Sequence, residues 1–154
     1  MKQKFIRAHL AAAKEYAKLS SARRLQVGAI VVKDDRIISI GYNGTPAGWD
    51  NNCEDVEQYA ATGNQVLVTK PEVIHAEGNA ISKLARSNES GLGATMFLTH
   101  SPCMECAKLI YGSGIACGYY EHEYRNLAGI EFLRKCGVPV KKIAEDGSEV
   151  TDCA

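Results

Sequence analysis

No apolar run in this 154-residue chain approaches the roughly 20 residues needed to cross a bilayer, so no membrane partner is expected. Charge of one sign is also missing. Lys and Arg number 18, Asp and Glu number 18, and the net charge is +0. That balance argues against a sequence-blind nucleic-acid binder, which carries a basic excess, but leaves room for a local basic pocket around one phosphate. There is no internal repeat and no low-complexity block. The opening stretch MKQKFIRAHLAAAKEYAKLS lacks the unbroken apolar core of a signal peptide, because Lys14, Glu15 and Lys18 interrupt it. It is expected to be a helix of the fold, and the expected compartment is the cytoplasm. In that reducing setting the six cysteines are thiols or metal ligands before they are disulfides.

The chain does have the makings of one core. At 45% hydrophobic and 23% charged residues it has the composition of an ordinary globular protein, and its length suits one domain over 1–154. Residues from about 145 onward are polar and expected to be a loosely held tail. Phe5, His9, Ala12, Tyr16 and Leu19 recur at three- and four-residue steps, which predicts an amphipathic first helix. QVGAIVVKDDRIISIGYN reads as a β-hairpin turning at Asp34 and Asp35. Residues 43–72, punctuated by Gly, Pro and Asn, are expected as a long irregular connection with a short helix near 56–61. Long loops of this kind tend to be functional. Beyond it the chain alternates: helix 75–86, strand 94–99, helix 102–112, strand 115–121, helix 126–135, then the strand in VPVKKIA. A hairpin followed by such alternation implies a mixed sheet with helices on both faces.

Two helix starts carry the chemistry. Cys103 and Cys106, spaced C-x-x-C behind Pro102, point the same way from a first helical turn, where partial positive charge favours thiolate. Alone they are equally a redox dithiol or two core cysteines. His75 opens the preceding helix and adds an imidazole, a ligand suited to zinc. Three protein ligands leave a fourth position for water, the mark of a catalytic zinc. Glu77, two residues after His75, is placed to take a proton from that water without being a ligand. Together, His75-Ala76-Glu77 and Pro102-Cys103-Met104-Glu105-Cys106 form H-x-E … P-C-x-x-C, the signature of zinc-dependent nucleobase deaminases.

From about Leu19 to Val140 the chain resembles the deoxycytidylate (dCMP) deaminase family. RRLQVGAIVV, GYNGTPAG, HAEGNAI, GATMFLTHSPCMECAKLI and the pair Tyr120 and Tyr124 in YYEHEYRN carry the likeness. The resemblance implies a three-layer α/β/α cytidine-deaminase-like fold on a mixed five-stranded sheet. It implies one catalytic Zn²⁺ per chain on His75, Cys103 and Cys106. Glu77 would protonate N3 of cytosine as water attacks C4, then help ammonia leave. dCMP would become dUMP, the precursor of thymidylate. Asn43 would bind the sugar 3′-hydroxyl, and Arg24, Ser20 and Tyr124 are candidates for the 5′-phosphate. The family forms homohexamers activated by dCTP and inhibited by dTTP, often with Mg²⁺. Gly41, Tyr42, Asn43 and Gly44 fall in the regulatory segment, and Arg86 matches a position tied to the response.

Two departures stand out. Some relatives hold a second zinc through a Cys matching Cys53, but QVLVTKPEVI offers no further His or Cys, so the loop must be held another way. Gly78 stands where relatives commonly have Leu, vacating volume expected to lie beside the site. Other readings of the same residues are a tRNA-type adenosine deaminase, a deaminase that also accepts dCTP, and a non-catalytic zinc-stabilised binding module. The last needs a fourth protein ligand, for which His100 and His122 are the spare candidates.

Overall fold

The structure, a computed structural model, describes residues 1–150. Strands β1 (Gly28–Lys33) and β2 (Arg36–Tyr42) form the expected antiparallel hairpin. Asp34 and Asp35 turn it with φ of 51° and 58°, the positive pair whose twist matches that of the flanking strands. The connection that follows is not wholly irregular, and no helix lies near 56–61. Instead β3 (Glu54–Gln58) and β4 (Gln65–Thr69) pair antiparallel as a separate two-stranded sheet. Val56, expected to open a short helix, is instead paired with Leu67 across this hairpin and is 55% exposed.

Strands β5 (Thr95–His100), β6 (Cys117–His122) and β7 (Val140–Ile143) complete the five expected strands. The order is β2-β1-β5-β6-β7, with β1 antiparallel to β5 and the last two pairings parallel. The tail adds to this sheet: β8 (Glu149–Val150) pairs antiparallel with β7 at its edge. The rest of the expected loose tail, 151–154, lies outside the described residues.

Helix α1 (Gln3–Ala17) covers one face alone. It buries Ile6, Leu10, Ala13 and Ala17, not the expected Phe5–Leu19 stripe; Phe5 is 40% and Leu19 59% exposed. Both stripes have helical spacing, and the sheet selects the one with small alanines because they let the helix sit close. Ile6 and Leu10 meet Ile30, Phe97 and Tyr119 there. Helices α2 (Ala76–Ala85), α3 (Met104–Gly112) and α4 (Ala128–Lys135) cover the other face, around Val31, Met96, Leu98 and Tyr120. The result is the expected α/β/α layering.

Two close approaches on that face aim the site. A Cβ on Gly41 would lie 2.0 Å from the Ala76 carbonyl oxygen, so β2 runs directly against the start of α2. A Cβ on Gly129 would lie 2.2 Å from the Pro102 carbonyl oxygen, so α4 braces the turn into α3.

Candidate active site

His75 and Cys103 occupy the N-cap positions of α2 and α3, both with extended backbone and neither capping its own helix. Their side chains turn towards each other instead. α3 follows β5 directly, so Cys103 lies at the carboxyl edge of the parallel strands, where α/β proteins bind ligands. α2 follows no strand of the main sheet. It reaches the same edge because Gly44 and Ile74 exchange backbone hydrogen bonds of 3.1 and 2.8 Å just beyond the end of β2.

His75 Nδ1 lies 3.6 Å from Cys103 Sγ and 3.3 Å from Cys106 Sγ, and the three ligand atoms all fall within 4.8 Å of one another. A tetrahedral zinc with its usual bonds to N and S separates those atoms by about 3.5 Å, so this donor set fits zinc in both chemistry and spacing. Hydrogen bonds from Cys106 and then His75 hold the Cys103 thiol down at about 3, while the same bond pushes Cys106 up. The bond to Cys103 also raises His75. Among the described residues this is the one group of three such ligands. His100 is not a fourth: its Nδ1 lies 2.9 Å from Thr99 Oγ1 and its ring packs on His122 at 5.2 Å.

Glu77 lies in the first turn of α2 and is 4% exposed. Burial raises its pKa, against opposing hydrogen bonding from its own backbone N–H and attraction to His75. A carboxyl group so placed holds a proton more readily than an exposed one, which suits a group that must both take and return it.

His75, Glu77 and Cys103 line one cavity with Asn43, Arg24 and Tyr124. Arg24 Nη1 reaches Tyr124 Oη at 3.4 Å, and the two also line a second, more open hollow with His122 and Arg125. Tyr124 is fixed from the metal turn itself: Ser101 Oγ accepts its backbone N–H at 2.7 Å. Ser20 is not brought to the cavity lining. Its buried hydroxyl accepts the Ala22 N–H at 3.2 Å, and its carbonyl accepts Gln26 Nε2 at 2.8 Å, shaping the turn that carries Arg24. Asn43 lines the cavity, yet its carboxamide ties two loops together. Oδ1 accepts from the Val27 N–H and Nδ2 donates to the Leu25 carbonyl, both at 2.8 Å, leaving one N–H over.

The neighbours of Asn43 touch α2. The Tyr42 carbonyl accepts from Asn79 Nδ2 at 3.0 Å, and its ring lies under Lys83 Nζ at 5.8 Å. Arg86 is the exposed C-cap of the same helix. Gly78 does not border the cavity. A Cβ there would meet Leu109 Cδ1 at 3.7 Å and Ile74 Cγ2 at 4.0 Å, so its missing side chain frees space between α2 and α3 instead of at the site. The loop around Cys53 is held by packing and hydrogen bonds. Cys53 is buried against Ala22 and Val73, with Sγ 3.5 Å from Ser21 Oγ.

Glu54 was invisible to sequence reasoning. It lies inside the connection read as irregular, with no spacing signal, yet its buried carboxylate lines the cavity. Ser101 had only its place beside Pro102 to mark it.

The family model described as "Cytidine and deoxycytidylate deaminase zinc-binding region" matches residues 2–121. ComE operon protein 2 of Bacillus subtilis is 34% identical over 82% of this chain and 65% of its own length. The deoxycytidylate deaminase of Enterobacteria phage T4 is 36% identical over 75% of this chain and 77% of its own. The crystal structure of the dCMP deaminase of cyanophage S-TIM5, in complex with dCMP and dUMP, superposes with a TM-score of 0.82. It is 41% identical, with 93% of this chain and 99% of that one covered. With its His/Cys/Cys zinc site, buried glutamate and matching fold, this chain belongs to the cytidine and deoxycytidylate deaminase family.

Proposed function

We propose that this protein hydrolyses dCMP to dUMP and ammonia. The observation that carries this is one cavity lined both by His75 and Cys103 of the zinc-ligand group with the buried Glu77, and by the Arg24–Tyr124 pair. A base to be deaminated belongs beside the zinc ligands and Glu77, and a phosphate beside Arg24 and Tyr124. Bound zinc supplies the Lewis acidity that makes water a nucleophile at neutral pH. Glu77 accepts a proton from the attacking water and delivers it to N3 of cytosine. As the C4–O bond forms and the C4–N bond breaks, it passes the second proton to the leaving amino group. Its burial keeps bulk water from competing for those protons. Arg24 donates to the 5′-phosphate, aided by the Tyr124 hydroxyl, and the remaining N–H of Asn43 faces the sugar.

The finer reading is a single deaminase domain over 1–154 that assembles as a homohexamer and supplies dUMP for thymidylate synthesis. dCTP activates it and dTTP inhibits it, with Mg²⁺ accompanying the triphosphate. What supports a regulatory role for Gly41, Tyr42, Asn43, Gly44 and Arg86 is their placement. The strand end that carries Asn43 into the cavity is bonded to both the entry and the body of α2, which begins at His75 and ends at Arg86.

The test is zinc content together with turnover of dCMP, CMP, deoxycytidine and dCTP, each with and without dTTP or dCTP as effector. dCMP should be the preferred substrate. Glu77→Gln should keep zinc and fold while losing about 10²–10⁴-fold in turnover. Turnover of the variant near that of the parent, or no dCMP turnover by the zinc-loaded parent, refutes the reading.

A further inference from the structure

Beside the zinc cavity lies a second hollow of about 410 Å³, a size typical of small-molecule sites. Arg24, Leu25, His100 and Tyr124 line both, so the two are contiguous, while His122, Glu123 and Arg125 line the second alone. The acids around it are already paired. Glu123 holds Lys142 Nζ at 3.1 Å. The buried Glu121, whose Oε2 stands 3.8 Å from His122 Nε2, holds Lys14 Nζ at 2.9 Å through Oε1. Arg24 and Arg125 have no carboxylate partner among the described residues, so the hollow carries a surplus of positive charge. It also carries unused donors. Arg24 Nη1 donates to Tyr124 Oη, which leaves the hydroxyl hydrogen of Tyr124 over. Thr99 Oγ1 accepts the Gly28 N–H at 3.0 Å and lies 2.9 Å from His100 Nδ1. Thr99 is buried, and its own hydrogen is used only if it donates to Nδ1. The proton of the His100 ring then sits on Nε2, and burial, with His122 nearby, lowers the pKa of that ring. His100 thus adds an uncharged N–H donor beside two guanidinium groups.

The 5′-phosphate of dCMP belongs beside Arg24 and Tyr124. Both side chains also line the second hollow, so the space next to that phosphate continues instead of ending at a wall. A site that takes monophosphates alone needs a clash or a like charge there to reject a longer chain. The lining offers the reverse, a second guanidinium and unused donors. The group that matches it is anionic and accepts only, which describes another phosphoryl group. On the basis of the nucleotide reading above, we infer that the second hollow is a subsite for a β-phosphate and that this protein also deaminates 2′-deoxycytidine 5′-diphosphate (dCDP). Water supplies the oxygen that replaces the amino group at C4, so dCDP and water give dUDP and ammonia, and the diphosphate is left intact. Arg125 holds the β-phosphate, and His100 Nε2–H donates to the same group.

The test compares kcat/KM for dCDP and dCMP in the zinc-loaded parent and in Arg125→Ala, with the product of dCDP identified as dUDP by chromatography. dCDP is the probe because dCTP is expected to act as an effector. In the parent, kcat/KM for dCDP should lie within about tenfold of that for dCMP, since a β-phosphate on a single arginine gains about as much as its ordering costs. Arg125→Ala should lower the value for dCDP by about 10- to 100-fold, the range of a hydrogen bond to a charged group, and the value for dCMP by less than about threefold. Arg125→Lys should recover part of the loss. A parent that turns over dCMP but yields no dUDP from dCDP overturns the inference, and so does an equal loss on both substrates in Arg125→Ala. Turnover of the dinucleotide thymidylyl-(3′→5′)-deoxycytidine in place of dCDP would give the hollow to a nucleoside and overturn it as well. Calorimetric binding of dUDP and dUMP reads the subsite without turnover. Equal affinity of parent and Arg125→Ala for dUDP removes the subsite. A parent that binds dUDP through Arg125 but deaminates neither substrate sinks the deaminase reading instead.

Discussion

Gly41→Ala is expected to damage both stability and catalysis although residue 41 itself holds no chemical group. Its added methyl would stand 2.0 Å from the Ala76 carbonyl oxygen, 2.7 Å from the Ala80 nitrogen and 3.1 Å from the Ala76 carbonyl carbon. All three are backbone atoms of α2, so no side chain can rotate away. Relief needs the strand and the helix to part by about 1 Å. Overpacking of this kind costs about 1–3 kcal/mol, occasionally more. For a chain of this size each kcal/mol lowers Tm by about 2–4 °C. Ala76 lies between the zinc ligand His75 and Glu77, so the displaced turn is the catalytic one. A misplacement of about 1 Å costs on the order of 10²-fold in rate. The assay is thermal unfolding, zinc content and dCMP turnover, with Gly44→Ala as the control. Gly44 lies three residues on, and a Cβ there would meet nothing within 4 Å. The control should stay within about 0.5 kcal/mol of the parent. If Gly41→Ala melts with Gly44→Ala and turns over as fast as the parent, the close approach does not position α2 and the reasoning fails.

Cys103→Ala leaves His75 and Cys106 as ligands and should purify with far less than one zinc per chain; full zinc by metal analysis would mean the ligand set is wrong. Arg24→Ala should weaken dCMP binding by about 1.5–3 kcal/mol and deoxycytidine binding little, since only the first offers a phosphate; equal losses would remove Arg24 from the phosphate end. Gly78→Ala should stabilise the fold by about 0.5–1 kcal/mol in urea unfolding, because a helix-interior glycine is replaced where a methyl has ordinary contacts. A destabilised Gly78→Ala would show that the space between α2 and α3 is not free. Asp35→Gly relieves a positive φ of 58° on a residue with a Cβ and should add about 0.5–1 kcal/mol; an unchanged urea midpoint would mean the turn stores no such cost.

The metal ligands and the proton carrier were legible in the sequence because their mutual geometry is local. One residue separates His75 from Glu77 and two separate Cys103 from Cys106, and a first helical turn fixes where such neighbours point. The alternation of strands and helices after residue 75 was legible for the same reason, since period and turn residues act over a few positions. Packing between distant segments decided the rest. Both stripes on α1 have helical spacing, and only contact with Ile30 and Phe97 selects the one with Ile6 and Leu10. The segment at 56–61 took strand form because it pairs with β4, a partner outside any local window. Ser20, Asn43 and Glu54 show the limit most clearly. Whether a polar side chain faces a ligand or the backbone depends on which donors and acceptors the fold brings within 3 Å. For Asn43 these come from Leu25 and Val27, and for Glu54 from Arg23 and Arg24. Residue type announces that such a group must be satisfied; only the tertiary structure determines by what.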